Sequence, residues 1–356
     1  MKLTALIAPL LLTAALIAPA QAATFTIINA PGAGTASGEG TIGFAINSLS
    51  AVVGAYTDSS GSYHGFLYAP DGAYTTFDVN GGQTLATTIN DKGVIAGDYT
   101  DPNTGAGEGF VWAGGGTVDT FDPSNGSLDG TYVNYINSAG TVAGTYGDSS
   151  RVWHGFLRTK NGTLTSFDAP GSGTGYHQGT LANGINNTGA IVGSLTDSSS
   201  VYHGYLRATD GTFTEFDPSG AGTGAGQGTT ATQVNSTGWI SGFYYDSSDV
   251  SHGFLRDPSG NFTTFDAPDA GGGYHQGTYG EIINNRKRIA GFYTDTNGAN
   301  HGLLRASSGT ITEFDPPGAG NGAGEGTTGY DINKYNVITG WDIDSSGVYH
   351  GYLRTP

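Results

Sequence analysis

The chain of 356 residues contains no cysteine, and only 13 of its residues are lysine or arginine. The lack of cysteine excludes disulfides, thiolate zinc sites, cysteine nucleophiles and a lipoprotein anchor. The 30 acidic residues give a formal net charge of −17, which makes nucleic acids and anionic membrane surfaces improbable partners. Glycine is abundant instead, with 62 residues. This density excludes coiled coils and most helical folds, because glycine destabilises helix interiors.

The N-terminal segment has the features of a secretory signal peptide. Lys2 is followed by an apolar stretch from Leu3 to Pro19, and Ala20-Gln21-Ala22 forms a small-x-small cleavage pattern. We therefore predict a signal peptide over residues 1–22, a mature domain over residues 23–356, and a secreted bacterial protein, either extracellular or periplasmic. No other segment reaches the roughly 20 apolar residues that a membrane span needs, so we expect none in the mature chain.

The rest of the sequence consists of one repeat, present seven times. A motif that begins His-Gly marks six copies, and Glu108-Gly109-Phe110-Val111 is the divergent second copy. Each copy holds four short segments rich in Ile, Val, Thr, Tyr and Phe, separated by turn residues, which is typical of antiparallel strands. From His154 onward the motif recurs every 49 residues. Four strands in a repeat of this length predict the blade of a β-propeller.

The two ends of the chain are complementary. Residues 350–356 stop after a third strand, and residues 24–31 match the fourth strand of other copies, such as residues 263–268. We therefore predict an all-β fold, a seven-bladed β-propeller of four-stranded antiparallel blades. The N-terminal strand is expected to complete the last blade and close the ring, so that it pairs with Leu353.

One copy illustrates a resemblance to a known family. Its segments read AIN (45–47), VVGAY (52–56), DSSGSYHGFL (58–67) and YTTFD (74–78). They resemble the HAF-type repeats of bacterial secreted proteins, and the resemblance covers almost the whole mature chain. It implies export and a repeat architecture, and it brings no activity, cofactor or catalytic residue with it.

Counting strand positions places each motif histidine opposite a polar residue of the next strand. We interpret these pairs as structural hydrogen bonds between buried side chains, since the blades lie too far apart for two histidines to share a metal ion. In the second copy Glu108 falls beside Asp122, where two carboxylates would repel each other or take up a proton or a cation. The predicted pairs are His64–Asp78, His154–Asp168, His203–Asp217, His252–Asp266, His301–Asp315 and His350–Asn29.

An aspartate begins the second loop of most copies, before small or polar residues. Such aspartates cap turns by accepting hydrogen bonds from the backbone. Alternatively, these aspartates bind calcium, since carboxylate and carbonyl oxygens are its usual ligands. The alternating acidic residues of a typical calcium-binding loop are absent, however. We expect no other cofactor and no metal site. The aspartates are Asp58, Asp148, Asp197, Asp246, Asp295 and Asp344.

Ligand-binding candidates lie in the loops that join a fourth strand to the next first strand. These loops should open on the same face as the aspartate loops, around the mouth of a propeller channel. Two of them carry the pairs Tyr176-His177 and Tyr274-His275, whose aromatic and imidazole groups suit sugar rings and hydroxyls. A polar residue precedes most first strands, and it either joins this ligand site or merely caps the strand. These residues are Glu39, Asp129, Gln178, Gln227, Gln276 and Glu325.

Two carboxylates are candidates for hydrolytic catalysis, and a Tyr-His pair is the alternative, as the base that removes a sugar C5 proton in a lyase. Glu281 and Asp331 occupy corresponding stretches of consecutive first strands. Paired carboxylates near a channel mouth suit glycosidic acid–base chemistry. Alternatively, each is bonded to the backbone or to Tyr330 and serves the fold.

Two functions therefore remain open. The first is a secreted binding or surface-interaction propeller, whose partner is a neutral carbohydrate or a cell-surface component. The second is a secreted carbohydrate-active enzyme, a glycoside hydrolase or polysaccharide lyase, with its site at the same channel mouth. A non-catalytic binder should tolerate Glu281→Gln and Asp331→Asn, whereas an enzyme should lose activity by orders of magnitude.

Overall fold

The protein is described by a computed structural model over residues 23–127 and 129–356, so the predicted signal peptide lies outside the described residues. The regular structure of these residues comprises 28 strands and a short 3-10 turn at Val79–Gly81, which confirms an all-β fold. Within the same residues, no helix is long and apolar enough to cross a membrane.

The strands follow the repeats, four to each, and are grouped here by their order within the repeat. The first strands are β2 (Gly40–Ile46), β6 (Thr84–Ile89), β10 (Thr131–Ile136), β14 (Gly179–Ile185), β18 (Gly228–Val234), β22 (Gly277–Ile283) and β26 (Gly326–Ile332). The second strands are β3 (Val52–Thr57), β7 (Ile95–Thr100), β11 (Val142–Gly147), β15 (Ile191–Thr196), β19 (Ile240–Tyr245), β23 (Ile289–Thr294) and β27 (Ile338–Ile343). The third strands are β4 (Tyr63–Tyr68), β8 (Gly107–Trp112), β12 (Trp153–Arg158), β16 (Tyr202–Arg207), β20 (Ser251–Arg256), β24 (Asn300–Arg305) and β28 (Tyr349–Thr355). The fourth strands are β5 (Tyr74–Phe77), β9 (Asp119–Phe121), β13 (Leu164–Phe167), β17 (Phe213–Phe216), β21 (Phe262–Phe265), β25 (Ile311–Phe314) and, from the N-terminus, β1 (Thr24–Ile28).

Successive strands within a repeat pair antiparallel through tight turns. The third turn contains a glycine in the left-handed region, with φ of 88° at Gly72, 87° at Gly162 and 94° at Gly260. Glycine adopts this conformation without the steric cost that a Cβ would impose. The repeated Gly in these turns is therefore a requirement of the hairpin.

The N-terminal segment pairs with the C-terminal strand. β1 lies antiparallel to β28, with Thr26 opposite Leu353. The last repeat thus receives its fourth strand from the beginning of the described chain, which is the pairing that the complementary ends predict.

Hydrogen bonds between repeats join 24 strands into one sheet and leave β6–β9 as a separate sheet. The link is a single parallel bridge between a third strand and the next first strand, such as Trp153 with Gly179 or Tyr202 with Gly228. The second repeat departs from this pattern on both sides. Gln83 precedes β6 where other first strands have Gly, and Gly107 begins β8 where four other third strands have Tyr or Trp.

The core of most repeats pairs a glycine with an aromatic ring. The aromatic residue of the His-Gly motif is fully buried, as at Phe66, Phe156 and Tyr205, each 0% exposed. A Cβ on Gly54, in the neighbouring strand, would overlap both the Phe66 ring and the Ile42 carbonyl oxygen. The ring therefore fills space that only glycine leaves open, which explains part of the high glycine content.

A series of buried asparagines connects the repeats at the ends of the first strands. The side-chain Nδ2 of Asn186 donates to the carbonyl of Asn235 in the next repeat at 3.1 Å. Its Oδ1 accepts the Thr188 and Ala190 amides, each at 3.0 Å, and so caps its own turn. Asn333 of the last repeat donates to Asn47 of the first at 3.1 Å. The complete series is Asn47, Asn90, Asn137, Asn186, Asn235, Asn284 and Asn333.

Candidate functional site

Two kinds of loop meet on one face of the molecule. We call the loops that join a fourth strand to the next first strand the connecting loops. Each runs beside the loop between the second and third strands of the same repeat. The His177 amide donates to the Arg151 carbonyl at 2.8 Å, and the His275 amide donates to the Asp249 carbonyl at 2.9 Å. The shared face that the sequence predicts is therefore present.

The polar residues before the first strands cap their own loops. Gln178 Oε1 accepts the Gly175 amide at 2.9 Å, and Glu39 Oε2 accepts the Ala36 amide at 2.8 Å. We therefore assign these side chains to loop structure, which is the alternative that the sequence leaves open. Gln227, Gln276 and Glu325 make the equivalent hydrogen bonds to Gly224, Gly273 and Gly322.

Asp129 behaves differently from these caps. Its Oδ1 lies 3.5 Å from Arg151 Nε and its Oδ2 lies 3.8 Å from His177 Nε2, while the side chain is only 13% exposed. Oδ2 has no hydrogen-bond partner among the described residues. Asp129 therefore adds a carboxylate to the surroundings of the first Tyr-His pair.

The first Tyr-His pair belongs to a longer row of stacked rings, which we call the aromatic row: Tyr132, Trp153, His177 and Tyr176. The ring centroids of Tyr176 and His177 are 4.0 Å apart, and those of His177 and Trp153 are 5.3 Å apart. Tyr132 meets Trp153 edge-on at 5.8 Å. Tyr176 is 64% exposed and Tyr132 47% exposed, so both ends of the row face solvent.

Arg151 adds a charged group to the aromatic row. Its Nη1 donates to the Tyr176 hydroxyl at 3.0 Å, and its guanidinium lies 5.6 Å from the Tyr176 ring centroid. Sequence reasoning missed Arg151, Trp153 and Tyr132. Variation between repeats could have indicated Arg151 and Trp153. The fifth repeat has Asp249 and Ser251 at these two positions.

The second Tyr-His pair forms a smaller cluster. Tyr274 is 73% exposed, and its ring centroid lies 4.1 Å from that of His275. His275 lies 5.3 Å from Tyr245, and its carbonyl accepts the Tyr279 hydroxyl at 3.2 Å. This cluster lacks the tryptophan and the arginine of the aromatic row.

Both histidines of the Tyr-His pairs adopt a left-handed backbone conformation, with φ of 56° at His177 and 55° at His275. The same position is glycine in three other connecting loops: Gly38, Gly226 and Gly324. Such a conformation in a residue other than glycine costs on the order of 1 kcal/mol. The loop itself does not require histidine there, so the two exceptions mark the side chains as candidates for function.

The two carboxylates proposed for catalysis lie at a cavity of about 280 Å³ lined mostly by residues of the first strands. Asp331 is buried, and its two oxygens accept the Ile46 amide at 2.9 Å and the Ile332 amide at 2.7 Å. Burial raises the pKa of Asp331 to about 6 and that of the half-buried Glu281 to about 7. Both oxygens of Asp331 therefore accept hydrogen bonds from the backbone. Glu281 remains as the single carboxylate at the cavity that is free of such bonds among the described residues.

The predicted pairing of the motif histidines is confirmed, but the pairs are not buried. His252 Nδ1 lies 2.9 Å from Asp266, and the side chains are 24% and 51% exposed. Each histidine also faces the aspartate of its second loop, as His252 Nε2 faces Asp246 at 3.6 Å. The equivalent contacts to Asp78, Asp168, Asp217, Asp315 and Asn29 measure between 2.7 and 3.1 Å. The imidazoles thus bridge two loops at the surface.

The loop aspartates use their oxygens on their own turns. Asp246 Oδ1 accepts the Ser248 amide at 2.8 Å and the Val250 amide at 3.0 Å. Asp58, Asp148, Asp197, Asp295 and Asp344 cap their turns in the same way. Turn capping therefore accounts for Oδ1 of the repeated aspartate, while Oδ2 faces the motif histidine.

The expected encounter of Glu108 with Asp122 takes a different form. Glu108 Oε2 accepts the Tyr99 hydroxyl at 2.7 Å. Asp122 Oδ1 accepts the Ser124 amide at 2.7 Å, and Oδ2 accepts the Gly126 amide at 2.6 Å. Each carboxylate has its own donors, so neither needs to share a proton or a cation with the other.

Solved structures with the same architecture identify the fold. The chain is similar to a streptogramin B lyase, with 14% identity, a TM-score of 0.60, and coverage of 93% of this chain and 97% of that one. It is also similar to virginiamycin B lyase from Staphylococcus aureus, with 13% identity, a TM-score of 0.59, and coverage of 94% and 100%. The chain is a β-propeller.

A lectin from Burkholderia pseudomallei is a further propeller of this kind. It is 10% identical, has a TM-score of 0.52, and the alignment covers 85% of this chain and 91% of the lectin. No protein-family model and no curated protein matches the chain. At these identities the likeness establishes the fold alone, so function must be argued from the propeller's own side chains.

Proposed function

We propose that this propeller is a secreted, non-catalytic binding module for neutral glycans or a glycan-bearing cell-surface component. Its binding face is that of the connecting loops, and its principal site is the aromatic row. We further propose that the strands form a closed ring of seven four-stranded blades. The asparagine series, which returns from Asn333 to Asn47, supports this ring.

The observation that carries the proposal is the exposed, pre-stacked set of rings. Tyr176 is fixed between the His177 ring and Arg151, so little side-chain entropy is lost when a ligand packs on it. Aromatic faces pack on the apolar faces of sugar rings, and Arg151 and Asp129 offer donors and acceptors for hydroxyls. The second Tyr-His cluster gives a weaker copy of the same surface.

The contacts of the acidic residues favour binding over glycoside hydrolysis. Hydrolysis of the usual kind needs two carboxylates, one on each side of the scissile bond. Asp331 commits both oxygens to backbone amides, which leaves Glu281 without an acidic partner at the same cavity.

The connecting loops of the other repeats provide the design of the test. Tyr176→Ala with His177→Gly recreates the Ala225-Gly226 loop, and it also removes the left-handed histidine. We expect the double variant to fold as well as the wild type and to lose at least about tenfold in glycan affinity by calorimetry. The matched control is Tyr274→Ala with His275→Gly, which should reduce the number of sites while it keeps the stronger one. Unchanged affinity in a folded Tyr176/His177 variant would refute the assignment of the site.

A further inference from the structure

A cavity of about 300 Å³ lies between the second and third repeats and borders the aromatic row through Asp129 and Tyr132. It lies where the second repeat departs from the pattern. At the position of Gly107 the third repeat has Trp153 and the fourth has Tyr202, whose side chains are missing here. The volume is far larger than a single water needs.

The walls of this cavity are acidic and aromatic. Tyr63 and Tyr132 are 43% and 47% exposed and line it together with the buried Tyr99. Asp98 and Asp129 supply two carboxylates, and no lysine, arginine or histidine is among the described residues that line it.

The two carboxylates are incompletely satisfied. Asp98 Oδ1 accepts the Val133 amide at 3.3 Å, and Asp129 Oδ2 has no hydrogen-bond partner among the described residues. Arg151 Nε stands 3.5 Å from Asp129 Oδ1, and His177 Nε2 stands 3.8 Å from Oδ2, which is beyond hydrogen-bond distance and leaves Oδ2 able to accept a further donor. Burial raises the pKa of Asp98 to about 7, the direction expected for a carboxylate that lacks a positive partner.

We propose that this cavity binds an organic ammonium group, which Asp98 and Asp129 neutralise and the tyrosines enclose. Tyrosine rings attract ammonium cations through their π faces, and the attraction is stronger when the cation is desolvated. Two sources present this chemistry, a quaternary ammonium compound and an amino sugar. The cavity exceeds what a bare metal ion fills, which favours a cation with an organic body.

The test is calorimetry on the whole mature chain with matched probes. Choline is compared with its neutral isostere 3,3-dimethylbutanol, and glucosamine with glucose. We expect at least one cationic probe to bind at least about tenfold more tightly than its neutral counterpart, and the pair that discriminates identifies the source. Equal binding within both pairs, or no binding of either cation at millimolar concentration, would overturn the proposal.

Variants locate the site. Asp98→Asn keeps an acceptor for the Val133 amide and should weaken cation binding at least about tenfold, as should Asp129→Asn. Gly107→Tyr restores the residue type of the sister repeats and should abolish binding by filling the cavity. Tyr274→Ala, in the other cluster, is the control and should bind the cation as the wild type does. If the Asp98→Asn protein folds and binds the cation unchanged, the assignment is wrong.

This inference does not depend on the glycan proposal. The converted loop with Tyr176→Ala and His177→Gly lies outside the residues that line the cavity, and it should still bind the cation. Asp129 and Tyr132 border both sites, so the separating variants are the converted loop, which should lose only neutral-glycan binding, and Asp98→Asn, which should lose only cation binding.

Discussion

Replacement of Asn186 by alanine tests the asparagine series that links the repeats. The change removes the acceptor of two turn amides and the donor to the Asn235 carbonyl. Asn186 is 7% exposed, so water replaces these bonds only in part. An unsatisfied buried group costs about 1–3 kcal/mol, and partial hydration of the turn amides brings the expected total to about 2–4 kcal/mol.

The assay is urea unfolding followed by near-ultraviolet circular dichroism. Asn161→Ala, at an exposed hairpin tip, is the matched control and should change the free energy of unfolding by less than about 0.5 kcal/mol. Asn186→Asp keeps the turn acceptor and loses the donor to the next repeat, so it separates the two roles. If Asn186→Ala and Asn161→Ala have the same free energy of unfolding, the asparagine series does not stabilise the contacts between repeats and the reasoning is wrong.

Three further outcomes follow from the polar contacts. His252→Ala should lower the free energy of unfolding by about 1–2 kcal/mol, because its partners remain partly exposed to water. His301→Ala should lower it by about the same amount. Unchanged melting temperatures of both variants would contradict this. The melting temperature should be higher at about pH 5.5 than at about pH 8. The hydrogen bond to Asp266 is the main cause that raises the pKa of His252, and the stability it contributes is lost as the pH rises through that raised value. Burial raises the pKa of Asp98 to about 7, so its ionisation also destabilises the folded state between about pH 5.5 and pH 8. A higher melting temperature at about pH 8 would contradict the prediction. EDTA should leave the melting temperature unchanged, because the loop aspartates are occupied by their own turns, whereas a clear decrease would restore the calcium alternative.

The strand pattern could be predicted from the sequence because it depends on local and periodic signals. Turn glycines such as Gly162 and the spacing of the His-Gly motif fix where strands begin and end. The cross-strand partner of His252 follows from counting along a hairpin, and the pairing of Thr26 with Leu353 follows from matching a missing strand with a spare one. Burial was misjudged for the histidine pairs, because exposure depends on how much of each strand its neighbour covers.

The candidate site was only half predictable. Tyr176 and His177 were found because they depart from the repeat, whereas Arg151 reaches them from the loop between the second and third strands and Trp153 from the start of β12. Conversely, Gln178 looked like a ligand residue until its side-chain oxygen was located on its own loop. The cavity beside Gly107 was missed because an absent side chain leaves no motif, although comparison of the repeats position by position reveals it.

The central claim is that the propeller binds glycans without transforming them. The direct measurement is a glycan array with a turnover screen of the same glycans, performed on the wild type and on Glu281→Gln. The account predicts binding of neutral glycans by both proteins and no product from either. Product formation by the wild type that is lost in Glu281→Gln, with binding retained, would contradict it and establish a carbohydrate-active enzyme.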